Sequence, residues 1–128
     1  MSHIAWLSKK LDSGKILCQA CSQSCSLYEG EYGTCGVRRV EDGELRLLVY
    51  AIAAAVNVDP VEKKPMFHFL PKSRAFSLGT VGCNFSCTFC QNYDISQYPR
   101  EHDHQIIGRE LPPERIVEMA IEHDCDSI

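Results

Sequence analysis

Apolar side chains recur at Ile4, Leu7 and Leu11, an i, i+3, i+7 pattern that predicts a short amphipathic helix over Ser2–Leu11, ended by Ser13-Gly14. From Cys18 to Cys35 this periodicity is lost. Gly30 and Gly33 interrupt the stretch, which reads as a loop held by its own cysteines. Val37–Val40 and Glu44–Tyr50 are strand-like runs on either side of Glu41-Asp42-Gly43, and Asp-Gly between such runs predicts a hairpin turn. Asn57–Pro71 contains Pro60, Pro65 and Pro71 and predicts an irregular connection. Arg74–Val81 (RAFSLGTV) has the length and apolar content of a buried strand. Further on, Leu111-Pro112-Pro113-Glu114 predicts a helix start, because proline is tolerated in the first turn and glutamate suits the N-terminal dipole. Ile116, Val117, Ala120 and Ile121 give that helix one apolar stripe down to about His123, and Cys125–Ile128 is expected to begin another strand.

Strand, loop, helix and incipient strand are the first unit of a βαβ arrangement. One such unit cannot cover its own apolar faces, so the expectation is the beginning of an α/β domain rather than a complete one. Two regions follow: a cysteine-rich N-terminal segment with a β-hairpin over 1–66, and the start of the α/β part over 67–128.

Composition narrows the functional classes. With 128 residues and 45% hydrophobic content, a packed core is possible. The formal charge of −4 argues against a phosphate-tracking surface, and no nucleic-acid partner is expected. The basic pairs Lys9–Lys10, Arg38–Arg39 and Lys63–Lys64 are short and read as solvated faces. The apolar run Tyr50–Val56, even when extended back to Leu47, is far below the ~18 residues of a membrane span, so no membrane association is expected. The N-terminus MSHIAWLSKK lacks the layout of an export signal, which makes a cytoplasmic location the default.

The 8 cysteines then change the picture. Their share lies below the about 8–10% of disulfide scaffolds, and without an export signal metal or cluster ligation is the better reading. They divide into Cys18, Cys21, Cys25 and Cys35, then Cys83, Cys87 and Cys90, then a lone Cys125. The first group is a complete ligand set. A closed tetrathiolate site suits a structural zinc or another structural metal. An auxiliary iron–sulfur cluster also accepts four thiolates, although the spacing matches neither common ferredoxin pattern. Unligated thiols are the third reading. Because four thiolates are present without any later residue, this set is expected to hold its metal independently of the second group.

The second group, in GCNFSCTFCQN (Gly82–Asn92), is one ligand short for either a cubane cluster or a structural zinc. The pattern C-x3-C-x2-C on a loop after a strand, with an aromatic Phe89 before the last cysteine, resembles the signature of radical S-adenosylmethionine enzymes. Asp59–Pro71 (DPVEKKPMFHFLP), followed by GTVGCNFSCTFCQN, is similar to the members related to pyruvate formate-lyase activating enzymes. Within these it is most similar to the AmmeMemoRadiSam-system branch, whose N-terminal C-x2-C-x3-C-x9-C-G segment is matched by Cys18, Cys21, Cys25, Cys35 and Gly36. The resemblance runs from about Leu17 onward.

The resemblance implies a partial (β/α) barrel and a [4Fe–4S] cluster held by Cys83, Cys87 and Cys90. The fourth iron is left open for S-adenosylmethionine, whose reductive cleavage gives a 5′-deoxyadenosyl radical. It further implies that the main chain around Phe89 contacts the cofactor's adenine, and that a low-potential electron donor such as flavodoxin or ferredoxin serves the cluster. Asn92 and Tyr93 follow the cluster loop closely enough to line the cofactor pocket. The substrate, a protein or a small molecule, is left open. No catalytic side chain is implied. Family members continue through further strands, so the 128 residues alone are expected not to turn over S-adenosylmethionine.

Bland readings stand beside these. Phe89 taken alone is equally well a core aromatic. Cys125 reads as a small core residue, His68 as packing against its own segment, and His102 and His104 as part of a solvated loop. The reading from another class is a non-catalytic zinc-binding interaction module. It would need a fourth ligand for the second group, with His102, His104 and Cys125 as candidates.

Overall fold

The computed structural model describes residues 3–128; Ser2, the first residue of the expected N-terminal helix, lies outside them. The chain forms two compact units that interleave along the sequence. One runs to Tyr50 and takes up Val81–Ile106 as well, and the other comprises Ala51–Thr80 and Ile107–Ile128.

In the first unit, residues 3–11 are not helical. They form β1 (His3–Ile4) and β2 (Ser8–Lys10), and β2 pairs antiparallel with β3 (Ile16–Cys18) in the register Ser8↔Cys18, Lys10↔Ile16. The Asp12-Ser13-Gly14 turn closes this hairpin, with Leu11 N–H donating to Lys15 O and Gly14 N–H to Leu11 O. Three apolar positions were too few to specify a helix against a neighbouring strand. The expected stripe is also not buried, since Ile4 and Leu7 are exposed while Ala5 between them is covered. β3 pairs in turn with β4 (Ser26–Leu27). The expected hairpin is present as β5 (Arg38–Glu41) and β6 (Glu44–Leu47), with β1 on the outer edge of β6. Its two-residue turn places Asp42 at φ 56 and Gly43 at φ 70, the pair of positive values that suits the strand twist of a tight hairpin. Ala5, Ile16, Cys18, Leu27, Val40 and Leu45 make up the core, with Cys25 and Leu47 packed against it. Two short helices, α1 (Tyr93–Ser96) and α2 (Tyr98–Glu101), complete this unit.

In the second unit, β7 (Ile52–Ala53) and β8 (Ala55–Pro60) precede a 3₁₀ turn at Val61–Lys63. β8 pairs antiparallel with β9 (Arg74–Gly79) from Ala55↔Gly79 to Pro60↔Arg74. The irregular connection expected over Asn57–Pro71 therefore starts later, because Asn57–Pro60 belong to β8. Pro60 ends the strand, a place where its missing N–H is tolerated. β10 (Arg109–Glu110) pairs with β7. The expected helix is α3 (Pro113–Glu122), with Pro113 in its first turn. Its covered residues are Ile116, Met119 and Ala120, whereas Val117 and Ile121 of the expected stripe are exposed. After α3, Ser127 bridges parallel to Ala75, and Phe76 N–H donates to Ser127 O at 2.8 Å. The described residues thus hold four small sheets and three helices, without a closed barrel. No helix among them is long and apolar enough to cross a membrane.

Candidate metal centre

Both cysteine groups belong to the first unit. The strand ladder sets the positions of the early group. Cys18 ends β3 and is buried, with its N–H donating to Cys25 O at 2.8 Å. The sulfurs of Cys25 and Cys35 both flank Gly33, at 3.7 and 3.8 Å from where a β-carbon there would lie. Polar hydrogens are directed at these sulfurs. Thr34 N–H donates to Cys25 Sγ at 3.5 Å, and the Arg38 guanidinium reaches Cys18 Sγ at 3.7 Å while also donating to Trp6 O. Cys21 stands at the tip of the loop, where its carbonyl accepts from Ser24 N–H.

The later group lies on the irregular stretch between Val81 and α1. Phe85 N–H donates to Cys83 Sγ at 3.4 Å, and Cys90 N–H to Cys87 O at 3.3 Å. Cys90 Sγ lies 3.4 Å from Ser96 Oγ. The loop main chain is fastened from α2: Arg100 donates to Cys83 O at 3.0 Å, to Phe85 O and to Ser86 Oγ at 2.7 Å. Gln97 Nε2 adds a bond to Phe85 O at 3.2 Å. The two cysteine loops also meet each other. Gln23 Nε2 donates to Asn84 O at 3.0 Å, and Gly82 packs directly on Cys35 and Val37.

Among the described residues, no three His, Cys, Asp or Glu side chains converge as a metal would require. All 8 cysteines are free thiols. The donor chemistry of each group fits a thiophilic metal or an iron–sulfur cluster, and the amide and hydroxyl groups beside the sulfurs can donate to them and so orient such ligands. Loading either site requires thiols within each group to come to a common point, and in the later group Cys87 is the exposed one.

The remaining sequence candidates have plain positions. Phe89 is 85% exposed, so it is not a core aromatic, and Asn92 and Tyr93 are exposed as well. His68 is exposed rather than packed, as are its neighbours over residues 65–72. Cys125 is half-buried, with its sulfur near His123 O. His102 stacks on Tyr98 and is exposed. His104 is not simply solvated: its ring stacks on Tyr32 at 3.7 Å between centroids. Ser96, Gln97 and Arg100 were not singled out from the sequence. In QNYDISQYPR they carry no periodicity or spacing that sets them apart.

No protein-family model matches the chain, and no solved structure matches it. The chain is 43% identical over 124 residues to the Uncharacterized protein MJ0808 of Methanocaldococcus jannaschii. The match covers 97% of this chain and 36% of that protein, so the chain spans about a third of the relative's length.

Proposed function

We propose that this chain supplies the cluster loop and an N-terminal metal site of a radical S-adenosylmethionine enzyme of the activating-enzyme type. Cys83, Cys87 and Cys90 hold a [4Fe–4S] cluster, and Cys18, Cys21, Cys25 and Cys35 hold a structural metal, zinc or an auxiliary cluster. One observation supports this reading most. Three thiols share a loop whose carbonyls are held from one side by Arg100 and Gln97, and whose Gly82 is seated against Cys35 on the other. When bound, the cluster supplies the electron for reductive cleavage of S-adenosylmethionine. The chain's own residues fix the loop, direct donors at its sulfurs and leave Phe89 and Asn92 exposed beside it, available to a nucleotide cofactor. The structural metal is favoured by the size of the core, because its contiguous cluster holds only six buried side chains and small cores are commonly stapled by a metal.

The activity proposed is that of the whole protein. A low-potential donor, flavodoxin or ferredoxin, delivers the electron, a protein or small molecule receives the radical, and the setting is cytoplasmic. Anaerobic reconstitution with iron and sulfide, followed by EPR of the reduced protein with and without S-adenosylmethionine, tests the reading. About four irons at the later loop and a signal altered by S-adenosylmethionine are expected. Uptake of zinc at both groups with no cluster would overturn the reading in favour of a non-catalytic zinc-binding module.

A further inference from the structure

Buried polar side chains are costly unless they are hydrogen-bonded, so each one calls for a reason. Among the described residues Asp59, Ser96 and Gln97 are the buried polar ones, and the last two are adjacent and lie beside Cys90. Gln97 Nε2 donates to Ser96 Oγ at 3.1 Å and to Phe85 O at 3.2 Å. Ser96 Oγ stands 3.4 Å from Cys90 Sγ and 3.5 Å from Tyr93 O. Donor and acceptor roles follow from this list. An amide NH2 can only donate, so Ser96 accepts from Gln97 and has a single proton left to give. A ligating cysteine is a thiolate and can only accept. The Ser96 proton is thereby directed at Cys90 Sγ, where a charge-assisted bond is stronger than a bond to the neutral Tyr93 carbonyl.

Resting on the cluster reading above, we infer that Ser96 is a positioning residue for the site. Its hydroxyl donates to the Cys90 sulfur in the polarity that Gln97 imposes, and this bond raises the reduction potential of the bound cluster. The physical basis is charge. Reduction adds negative charge that spreads onto the sulfurs, and a fixed donor there stabilises the reduced form more than the oxidised form. The same Gln97 amide also holds Phe85 O, so one buried side chain links the Cys83 end of the loop to the Cys90 end.

The test is EPR-monitored potentiometry on the full chain reconstituted with iron and sulfide, for wild type, Ser96→Ala, Ser96→Thr and Ser96→Val. Ser96→Ala and Ser96→Val should load a cluster whose midpoint is more negative than that of wild type. Ser96→Thr, which keeps the hydroxyl, should restore the midpoint. Iron loss to a chelator should quicken in the two hydroxyl-free variants on the order of 10-fold, as is usual when an outer-shell partner of a ligand is removed. Gln97→Glu replaces the donor by an acceptor that competes for the Ser96 proton, so it should shift the midpoint in the same direction as Ser96→Ala. If the alanine variant does not fold, the Thr/Val pair reads the same hydroxyl at constant shape. Equal midpoints across variants that all load a cluster overturn this inference and leave the cluster reading standing. Failure of the wild-type chain to take up iron and sulfide removes both.

Discussion

Gly82 and Cys35 meet so closely that a β-carbon on Gly82 would stand 2.8 Å from the Cys35 carbonyl oxygen. Gly82 also sits at φ 92, a conformation that side chains rarely adopt. The first residue of the three-cysteine loop is therefore pressed against the last cysteine of the four-cysteine loop, on backbone that cannot give way. Gly82→Ala should destabilise the first unit by about 1–3 kcal/mol, the usual cost of overpacking, and should lower cluster loading at Cys83, Cys87 and Cys90. Denaturant melts and iron content measure the two effects. An alanine variant with wild-type stability and loading would mean that the contact has no consequence.

Arg100 does for the carbonyls of this loop what Gly82 does for its entry. A single guanidinium serves Cys83 O, Phe85 O and Ser86 Oγ, a fan of donors that an ammonium group cannot reproduce. Arg100→Ala should cost about 1.5–3 kcal/mol, the range for hydrogen bonds to charged groups, and should speed amide exchange over residues 83–88. Arg100→Lys should recover only part of the loss. Unchanged exchange in both variants would show that the loop is held by something else.

A different prediction concerns the second unit. Asp59 on β8 is buried, with Lys63 Nζ at 2.7 Å and Lys64 Nζ at 3.2 Å. These bonds, Lys63 first, hold its carboxyl well below the ordinary 3.8. A depressed folded pKa contributes stability that is complete above the unfolded value and is lost as pH falls through the folded one. Asp59→Asn should therefore be less stable than wild type at pH 7, and the gap should narrow as pH drops below about 4. Thermal melts across pH 2–7 measure it, and a gap independent of pH would show that the ion pairs contribute nothing.

How much of this was legible in the sequence depends on how local the signal is. The Asp42-Gly43 turn and the proline start of α3 were readable because the cue and the structure occupy the same few residues. The β2–β3 hairpin was not, since pairing with Ile16–Cys18 decided against a weak helical pattern. β8 was hidden for a similar reason: Pro60 and the two prolines after it suggested irregularity, while its partner strand lies well over ten residues away. The cysteine groups were legible by spacing. The residues that fasten them, Gln23, Ser96, Gln97 and Arg100, act across separations that no local pattern records.

The last prediction joins the two cysteine groups. Four thiols from the early loop suffice for a closed metal site, so the metal proposed there does not need the later loop. The reverse does not hold. The later loop rests on the early one through Gly82 against Cys35, through Gln23 to Asn84 O, and through Pro99, which lies 3.0 Å from a β-carbon position on Gly36. A structural zinc contributes roughly 10–16 kcal/mol in small domains, whereas a neutral hydrogen bond such as Gln23 to Asn84 O nets only about 0.5–1.5 kcal/mol. With six side chains in its contiguous cluster and Val37, Val49 and Val81 buried outside it, the unit has only a small core to hold Cys35 in place once the metal leaves. Stripping metal from the full chain should therefore remove amide protection over residues 18–36 and over 82–90 together, while β8 and β9 keep theirs. Re-addition of zinc should restore both segments in a variant in which Cys83, Cys87 and Cys90 are all alanine. Protection over 82–90 that persists in the metal-free chain would show that the later loop is folded by its own contacts, and the dependence argued here would be gone.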